Sequence, residues 1–280
     1  MPIYLRPETI DEALQALASR PLTVIAGGTD FYPARVGKPL DDDVLDITRL
    51  RGLRDISEQA DGYRIGALTT WTAVIEAGLP GWFDGLKMAA REVGGMQIQN
   101  AGTIAGNICN ASPAADGVPP LMSLDASVEL SAVRGKRTVP LDAFITGNRR
   151  TVRAADEIVT AVLVPKPKRP AVATFLKLGA RRYLVISIAM VGAAVERAAD
   201  GTVAAARIAV GSCAAVARRL PALEAALAGR PLTPHLGTAV RPEHLTPLTP
   251  IDDVRSTADY RKDAALTLVR RALDQLGSPP

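Results

Sequence analysis

The sequence predicts an α+β protein built from two domains, the larger one first. Three observations carry this. The chain has 280 residues, 48% of them hydrophobic and 22% charged, enough to bury full cores and more than one ordinary domain needs. A basic proline run, "PKPKRP", interrupts it at 165–170. After that run strand patterns come first and helical patterns last, the order of an α+β sandwich. We place the domains at 1–168 and 169–280, and divide the first near residue 55.

The elements follow in order. "PETIDEALQALAS" reads as a helix: Thr9 caps it, Glu12 completes a capping box, and Ile10, Ala13, Leu14 and Leu17 have helical spacing. "PLTVIAGGTDF" is a short apolar strand running into glycines. "DDDVLDITRL" is a further strand with Val44, Leu45 and Ile47 as its apolar part. Together these make a small β-α-β-loop-β unit over residues 1–50. "GYRIGALTTWTAVIEAG" reads as strand, turn and a helix starting near Thr70. "WFDGLKMAAREVG" is a helix with Leu86, Ala89, Ala90 and Val93 on one face, stopped by Gly94 and Gly95. Residues 100–120 read as a loop. "PLMSLDASVELSAV" is a helix end and a strand, with Ala126, Val128 and Leu130 facing inward. "RGKRTVPLDAF" is its hairpin partner, and "DEIVTAVLV" a last strand before the linker.

Beyond the linker, "ATFLKLGAR" and "VISIAMVGAAVERAADGTVAAARIAVGSCAAV" read as strands, the last two joined at Asp200-Gly201. "ARRLPALEAALAG" and "STADYRKDAALTLVRRALDQLG" read as helices. The second carries Ala258, Arg261, Ala265, Leu268, Val269 and Leu273 at mostly helical spacing.

Composition excludes several classes. The net charge is +4 with scattered arginines, without the basic, aromatic-interleaved stripe of a nucleic-acid binder. The two cysteines, Cys109 and Cys213, form no C-x-x-C pair, so the sequence points to no metal ligands, iron–sulfur cluster or disulfide scaffold here. No apolar run reaches the ~20 residues of a membrane span. The start lacks the pattern of a signal peptide, and the expectation is a cytoplasmic protein. G-x-G-x-x-G, Walker, G-x-S-x-G and H-E-x-x-H patterns do not occur.

Two segments nevertheless look made for a ligand. "AGGTD" at 26–30 follows an apolar strand, and "AGTIAGN" at 101–107 lies in the low-charge stretch 100–120, whose one ionised side chain is Asp116. Glycines let backbone N–H groups approach a ligand, and runs of such groups form anion nests. Thr29, Thr103 and Asn107 add side-chain donors. Two nests suit the two phosphates of a dinucleotide; two tight turns are the plainer alternative.

"AGGTDF", "GGMQIQNAGTIAGNICNASPAAD", "FLKLGARR" and "RSTADYRKDAAL" together resemble the flavin-binding, medium subunit of molybdenum hydroxylases, the group of xanthine dehydrogenase and carbon monoxide dehydrogenase. The resemblance spans nearly the whole chain. It implies a two-subdomain FAD-binding domain of the vanillyl-alcohol-oxidase type, then a smaller α+β domain of the carbon monoxide dehydrogenase flavoprotein type. It implies that Val24, Ile25, Ala26, Gly27, Gly28, Thr29, Asp30 and Phe31 form the first FAD loop, with the backbone of 26–30 on the pyrophosphate. Thr103, Ile104, Gly106 and Asn107 form the second, and Val93 joins the site. Asp116 accepts from polar groups of FAD; its plainer reading is a helix N-cap before "GVPPLMSL", and the two are compatible. Ile158 and Val159 line the flavin. Lys177 reaches it from the second domain, a cation able to stabilise the anionic reduced ring. Two positions depart from the family: Ala105 replaces a glycine, which requires negative φ there, and Val185 stands where many relatives carry an acidic residue. Tyr183 is a candidate neighbour of the ring.

The resemblance implies an electron-transfer subunit without catalytic acid or base of its own. It takes electrons from iron–sulfur clusters on a small partner, fed by a molybdopterin cofactor on a large one, in a heterotrimer that pairs into a dimer. The FAD is expected to be non-covalent, since no histidine stands in either loop and Cys109 reads as a small packed residue. A stand-alone flavin oxidase and a scaffold subunit without flavin are the alternatives. The complex's substrate and its acceptor are left open.

Overall fold

The computed structural model describes residues 2–278. A first unit contains β1 (Tyr4–Leu5), α1 (Ile10–Ser19), β2 (Thr23–Ile25) and β3 (Val44–Asp46). Its sheet runs in the order β1-β3-β2 with both pairings parallel. The Thr9 capping box is formed, and Ala13, Leu14 and Leu17 pack beneath Leu45, Ile47 and Leu50. Ile47 belongs to this core but lies just past the strand.

A second unit follows. Its elements are β4 (Ile56–Glu58), β5 (Gly62–Gly66), α2 (Trp71–Glu76), α3 (Asp84–Glu92), α4 (Met96–Ala101), α5 (Ile104–Asn110) and α6 (Val118–Ser123). Then come β6 (Ser127–Ala132), β7 (Gly135–Pro140), α7 (Leu141–Phe144), the hairpin β8 (Ile145–Gly147) and β9 (Arg150–Thr151), and β10 (Ile158–Pro165). The five-stranded sheet has the order β4-β5-β10-β6-β7 and is antiparallel throughout. Thr70 caps α2.

The stretch 100–120 is not the loop its composition suggests. Thr103 caps α5, accepting from Gly106 N at 3.0 Å, and Ala111, in the left-handed region at φ 47°, ends it. Val118 opens α6 with two prolines in its first turn, where missing N–H groups cost nothing. Gly117, not Asp116, is its N-cap residue. Val93 likewise falls outside the helical face assigned to it: it ends α3 in extended geometry.

The C-terminal part is β11 (Ala171–Leu178), β12 (Ala189–Arg197), β13 (Val203–Gly211), the short edge strand β14 (Arg218–Arg219), α8 (Pro221–Leu227) and α9 (Ala258–Gly277). The strands pair antiparallel in sequence order, turning at Gly201 with φ 83°. Two expectations shift here. Arg218 and Arg219 join the sheet edge, because Pro221 opens the helix instead. The strand around residue 210 ends at Gly211, before Ser212 at φ 62°. Apolar faces of α8 and α9 cover one side of this sheet.

The other side receives the first part of the chain. A side chain at Gly192 would lie 2.5 Å from Pro119 C, and one at Gly85 2.8 Å from Thr174 O. Bare backbone therefore lets α6 and α3 sit directly on β12 and β11. Asp125 adds ion pairs to Arg219, at 2.8 Å, and to Arg207.

Glu157 fastens the hairpin that precedes β10. Only 2% exposed, it accepts from Arg137 at 2.7 and 2.8 Å, from Arg134 at 2.8 Å and from Ala154 N at 2.8 Å. The Arg137 bonds do most to hold its carboxyl down from the usual 4.5 to about 2, against the opposing effect of burial. The stabilisation is therefore present above pH 4.5 and is lost as the pH falls toward 2. We expect Glu157→Gln to cost about 2 kcal/mol in urea unfolding at pH 7, with the gap to the parent closing over that acid range. A gap that does not change with pH contradicts this.

Candidate functional site

The geometry begins at the end of β2. The chain leaves Ile25 and turns through Ala26, Gly27 and Gly28, the last at φ 68°. A short 3-10 turn, Pro33–Arg35, follows, and it takes carbonyls of the loop as acceptors, Gly28 O from Tyr32 N at 3.1 Å and Asp30 O from Ala34 N at 3.3 Å, without using the loop's amide groups. The backbone N–H groups of six consecutive residues, Ala26, Gly27, Gly28, Thr29, Asp30 and Phe31, have no acceptor among the described residues. Buried or half-buried N–H groups are rarely left unpaired, and a run of them is an anion nest.

This loop lies hard against the second segment. A methyl group at Gly27 would sit 1.8 Å from Ala101 O. The second segment is in turn tied to the turn after β5: Trp71 N donates to Gly102 O at 3.2 Å and Ile104 N to Thr69 O at 3.0 Å. Between the two lies a cavity of about 790 Å³, in the upper part of the range of roughly 300–1,000 Å³ usual for ligand sites.

Most of the residues picked out by sequence meet at this cavity. Val24, Ile25, Ala26, Gly27, Gly28, Thr29, Asp30, Phe31, Val93, Thr103, Gly106, Asn107, Ile158 and Val159 all line it. Ile104 does not: it is fully buried in the core below α5, one position out of phase with the lining face. The second segment also differs in chemistry from the nest expected of it. Gly106 N and Asn107 N bond to Thr103, and Ile104 N to Thr69 O. Of this turn, Thr103 N and Ala105 N have no protein partner among the described residues. Ala105 itself has no positive φ, so alanine is unstrained there. Gly106 has no positive φ either; its need is space, since a side chain would meet Thr103 Oγ1 at 2.8 Å.

Asp116 and Lys177 lie outside this cavity and pair with each other. Lys177 Nζ is 2.6 Å from Asp116 Oδ2, and Ser187 Oγ donates to Asp116 Oδ1 at 2.6 Å. Burial pushes the Asp116 carboxyl up, and Lys177 opposes it. Lys177 also donates to the carbonyl of Glu92 at 3.4 Å, one residue before the cavity-lining Val93. The ion pair therefore stands beside the Val93 end of the cavity, on the seam between the two parts of the chain. A smaller cavity of about 320 Å³ adjoins it, lined in part by Lys177, Arg181, Arg182 and Val185. Tyr183 is exposed there, with Arg182 Nε donating to its hydroxyl at 3.0 Å.

Sequence reading missed Trp71, Ile98, Arg149 and Arg153 in the cavity wall. Ile98 stands in the quoted "GGMQIQNAGTIAGN" stretch, but Trp71, Arg149 and Arg153 stand in no glycine motif, and only the fold brings them there. Cys109 also reaches the wall; burial pushes its thiol up to about 11, so it is protonated and unreactive at neutral pH. Neither histidine lines the cavity.

The family model described as "FAD binding domain in molybdopterin dehydrogenase" matches residues 1–167. This chain belongs to that family. A second model, the "CO dehydrogenase flavoprotein C-terminal domain", matches residues 174–276. The nicotinate dehydrogenase FAD-subunit of Eubacterium barkeri is 33% identical over 98% of this chain and 96% of its own. A putative xanthine dehydrogenase FAD-binding subunit of Escherichia coli K12 is 31% identical over 97% and 94%. The fold matches a carbon monoxide dehydrogenase structure from Hydrogenophaga pseudoflava with a TM-score of 0.88 and 29% identity, over 98% of this chain and 96% of that one. The chain is thus an FAD-binding, medium-type subunit of the molybdopterin dehydrogenases, in which an FAD-binding domain precedes a flavoprotein C-terminal domain.

The residues present fit such a dinucleotide. The six free N–H groups suit a pyrophosphate, which needs donors. Asn107 lines the wall, while its Oδ1 is buried without a partner beside Gly117. Gly28 carries the positive φ that shapes the nest, and a side chain there would meet the Tyr32 ring at 2.5 Å. Tyr32 is exposed and can swing away; the backbone cannot. We expect Gly28→Val to cost at least 10-fold in FAD affinity, measured by flavin fluorescence, while far-UV circular dichroism of the chain is unchanged. Full flavin occupancy in that variant contradicts the nest.

Proposed function

We propose that this chain is the electron-transfer flavoprotein of a molybdenum-containing hydroxylase. It accepts electrons from iron–sulfur clusters on a small partner, downstream of a molybdopterin-bearing large partner, and passes them to an external acceptor. The observation that carries the reading is the run of unpaired N–H groups along the cavity.

FAD supplies a carrier that takes up and releases electrons singly or in pairs. In this reading residues 26–31 hold its pyrophosphate and Val93 marks the flavin end. Asp116 and Lys177, beside that end, set the local charge. Thr103, Gly106, Asn107, Ile158 and Val159 shape the wall. The cofactor is non-covalent, because the one thiol at the wall is protonated and no histidine reaches it. The division at residues 168 and 169 assigns Lys177 to the second domain. The assembly is a dimer of heterotrimers in the cytoplasm; no described helix is long and apolar enough to cross a membrane.

We expect one FAD per purified chain, all of it released into the supernatant by acid precipitation. Flavin left in the pellet contradicts the non-covalent assignment, and a colourless chain that takes up no FAD points to a scaffold. We further expect the complex's organic substrate to bleach the flavin anaerobically only when both partners are present. Rapid bleaching of the isolated chain overturns the relay and identifies a stand-alone oxidase.

A further inference from the structure

Three arginines line the large cavity: Arg35, Arg149 and Arg153. Arg35 is neutralised, donating to both oxygens of Asp42 at 2.7 and 2.8 Å. Arg149 is committed to the end of α5, donating to the side chain and carbonyl of Asn110. Arg153 differs from both. Its Nη1 donates to the carbonyls of Ala154, at 3.1 Å, and Glu157, at 2.7 Å. These bonds fix the plane of the guanidinium. Its Nε and Nη2 have no partner, and it forms no ion pair among the described residues. The nearby Glu157 carboxylate cannot serve, since Arg134, Arg137 and Ala154 N already occupy it. A half-buried, oriented cation is thus left facing a ligand cavity.

Its position says which part of a dinucleotide it meets. Arg153 follows the β8–β9 hairpin, whose Arg149 N donates at 2.9 Å to the carbonyl of Ala111, the residue that ends α5. Thr103 and the nest stand at the other end of that seven-residue helix, about 10 Å away. Val93 and the Asp116–Lys177 pair mark the flavin end, and Ile158 and Val159, next to the Glu157 carbonyl that Arg153 bonds, then stand on the adenylate half and not against the flavin. A dinucleotide with its pyrophosphate on the nest sends its second half toward Arg153.

We propose that Arg153 is the adenine-recognising residue of this chain, its guanidinium lying against the purine and anchoring the adenylate half of FAD. A planar, weakly hydrated cation suits an electron-rich heteroaromatic ring. The inference rests on the FAD reading above. It adds a residue outside both glycine loops.

The test titrates the flavin-free full chain with FAD and with ADP, by calorimetry, in the parent, Arg153→Met and Arg153→Lys. We expect Arg153→Met to weaken FAD and ADP by the same factor, roughly 10-fold. Arg153→Lys, which keeps the charge but not the plane, falls between. Melting of the flavin-free chain should be unchanged; if the Met variant does not fold, the Lys variant carries the comparison. Unchanged FAD affinity overturns the proposal. So does a loss for FAD without a loss for ADP, a parent chain that binds FAD but not ADP, or weakened binding matched by a lower melting temperature. A parent chain that binds no FAD fails the underlying reading instead.

Discussion

The close approach of Gly27 to the carbonyl of Ala101 governs this structure. Only a residue without a side chain permits it. It brings the loop after β2 and the start of α5 together as the two walls of one cavity, although some 75 residues of chain separate them. The three-stranded parallel sheet presents the first wall at the end of β2, where a parallel strand naturally delivers a ligand loop. The five-stranded sheet carries the second through the bond that the Thr69 carbonyl accepts from Ile104 N and the one that Trp71 N donates to Gly102 O. The start of β10, fixed by the buried Glu157 cluster, supplies the floor with Ile158 and Val159.

The two walls divide the work unequally. The first leaves its amide groups free and is the donor surface. The second spends the amides of Ile104, Gly106 and Asn107 within the protein and offers mainly shape. A pair of equivalent nests is not what the chain builds. The seam between the two parts of the chain adds a third feature, the buried Asp116–Lys177 pair. Ser187 bonds to that pair, and Arg255 Nη1 donates to the carbonyl of Ser187 at 2.8 Å. Arg255 in turn shares Asp253 with Arg261. The "RSTADYRKDAAL" motif near the C-terminus thus reaches the Asp116–Lys177 pair through a chain of polar contacts.

Much of this was legible in the sequence because it is local. A threonine with glutamate three residues on writes a capping box, and an Asp-Gly pair between apolar runs writes a hairpin. The strand-then-glycine pattern at 24–30 writes the nest. The rest depends on partners far away in the chain. The short helices within 100–120 have weak intrinsic propensity and are held by tertiary contacts, so their glycines and prolines read as loop. Once that stretch is helical, Ile104 turns inward while Gly106 and Asn107 turn to the cavity. Asp116 looks like a lone charge until Lys177 and Ser187, more than sixty residues on, close around it. Arg153 is one arginine among many until the fold shows which of its neighbours are already paired.

If the free amides of residues 26–31 receive the cofactor's pyrophosphate, FAD must slow their exchange with solvent. Amide hydrogen exchange, read at residue resolution on the full chain with and without FAD, measures this. We expect strong protection on FAD binding at residues 26–31, with little change at Gly106 and Asn107, whose N–H groups are already bonded. Unchanged exchange across 26–31 in a flavin-saturated chain would contradict it.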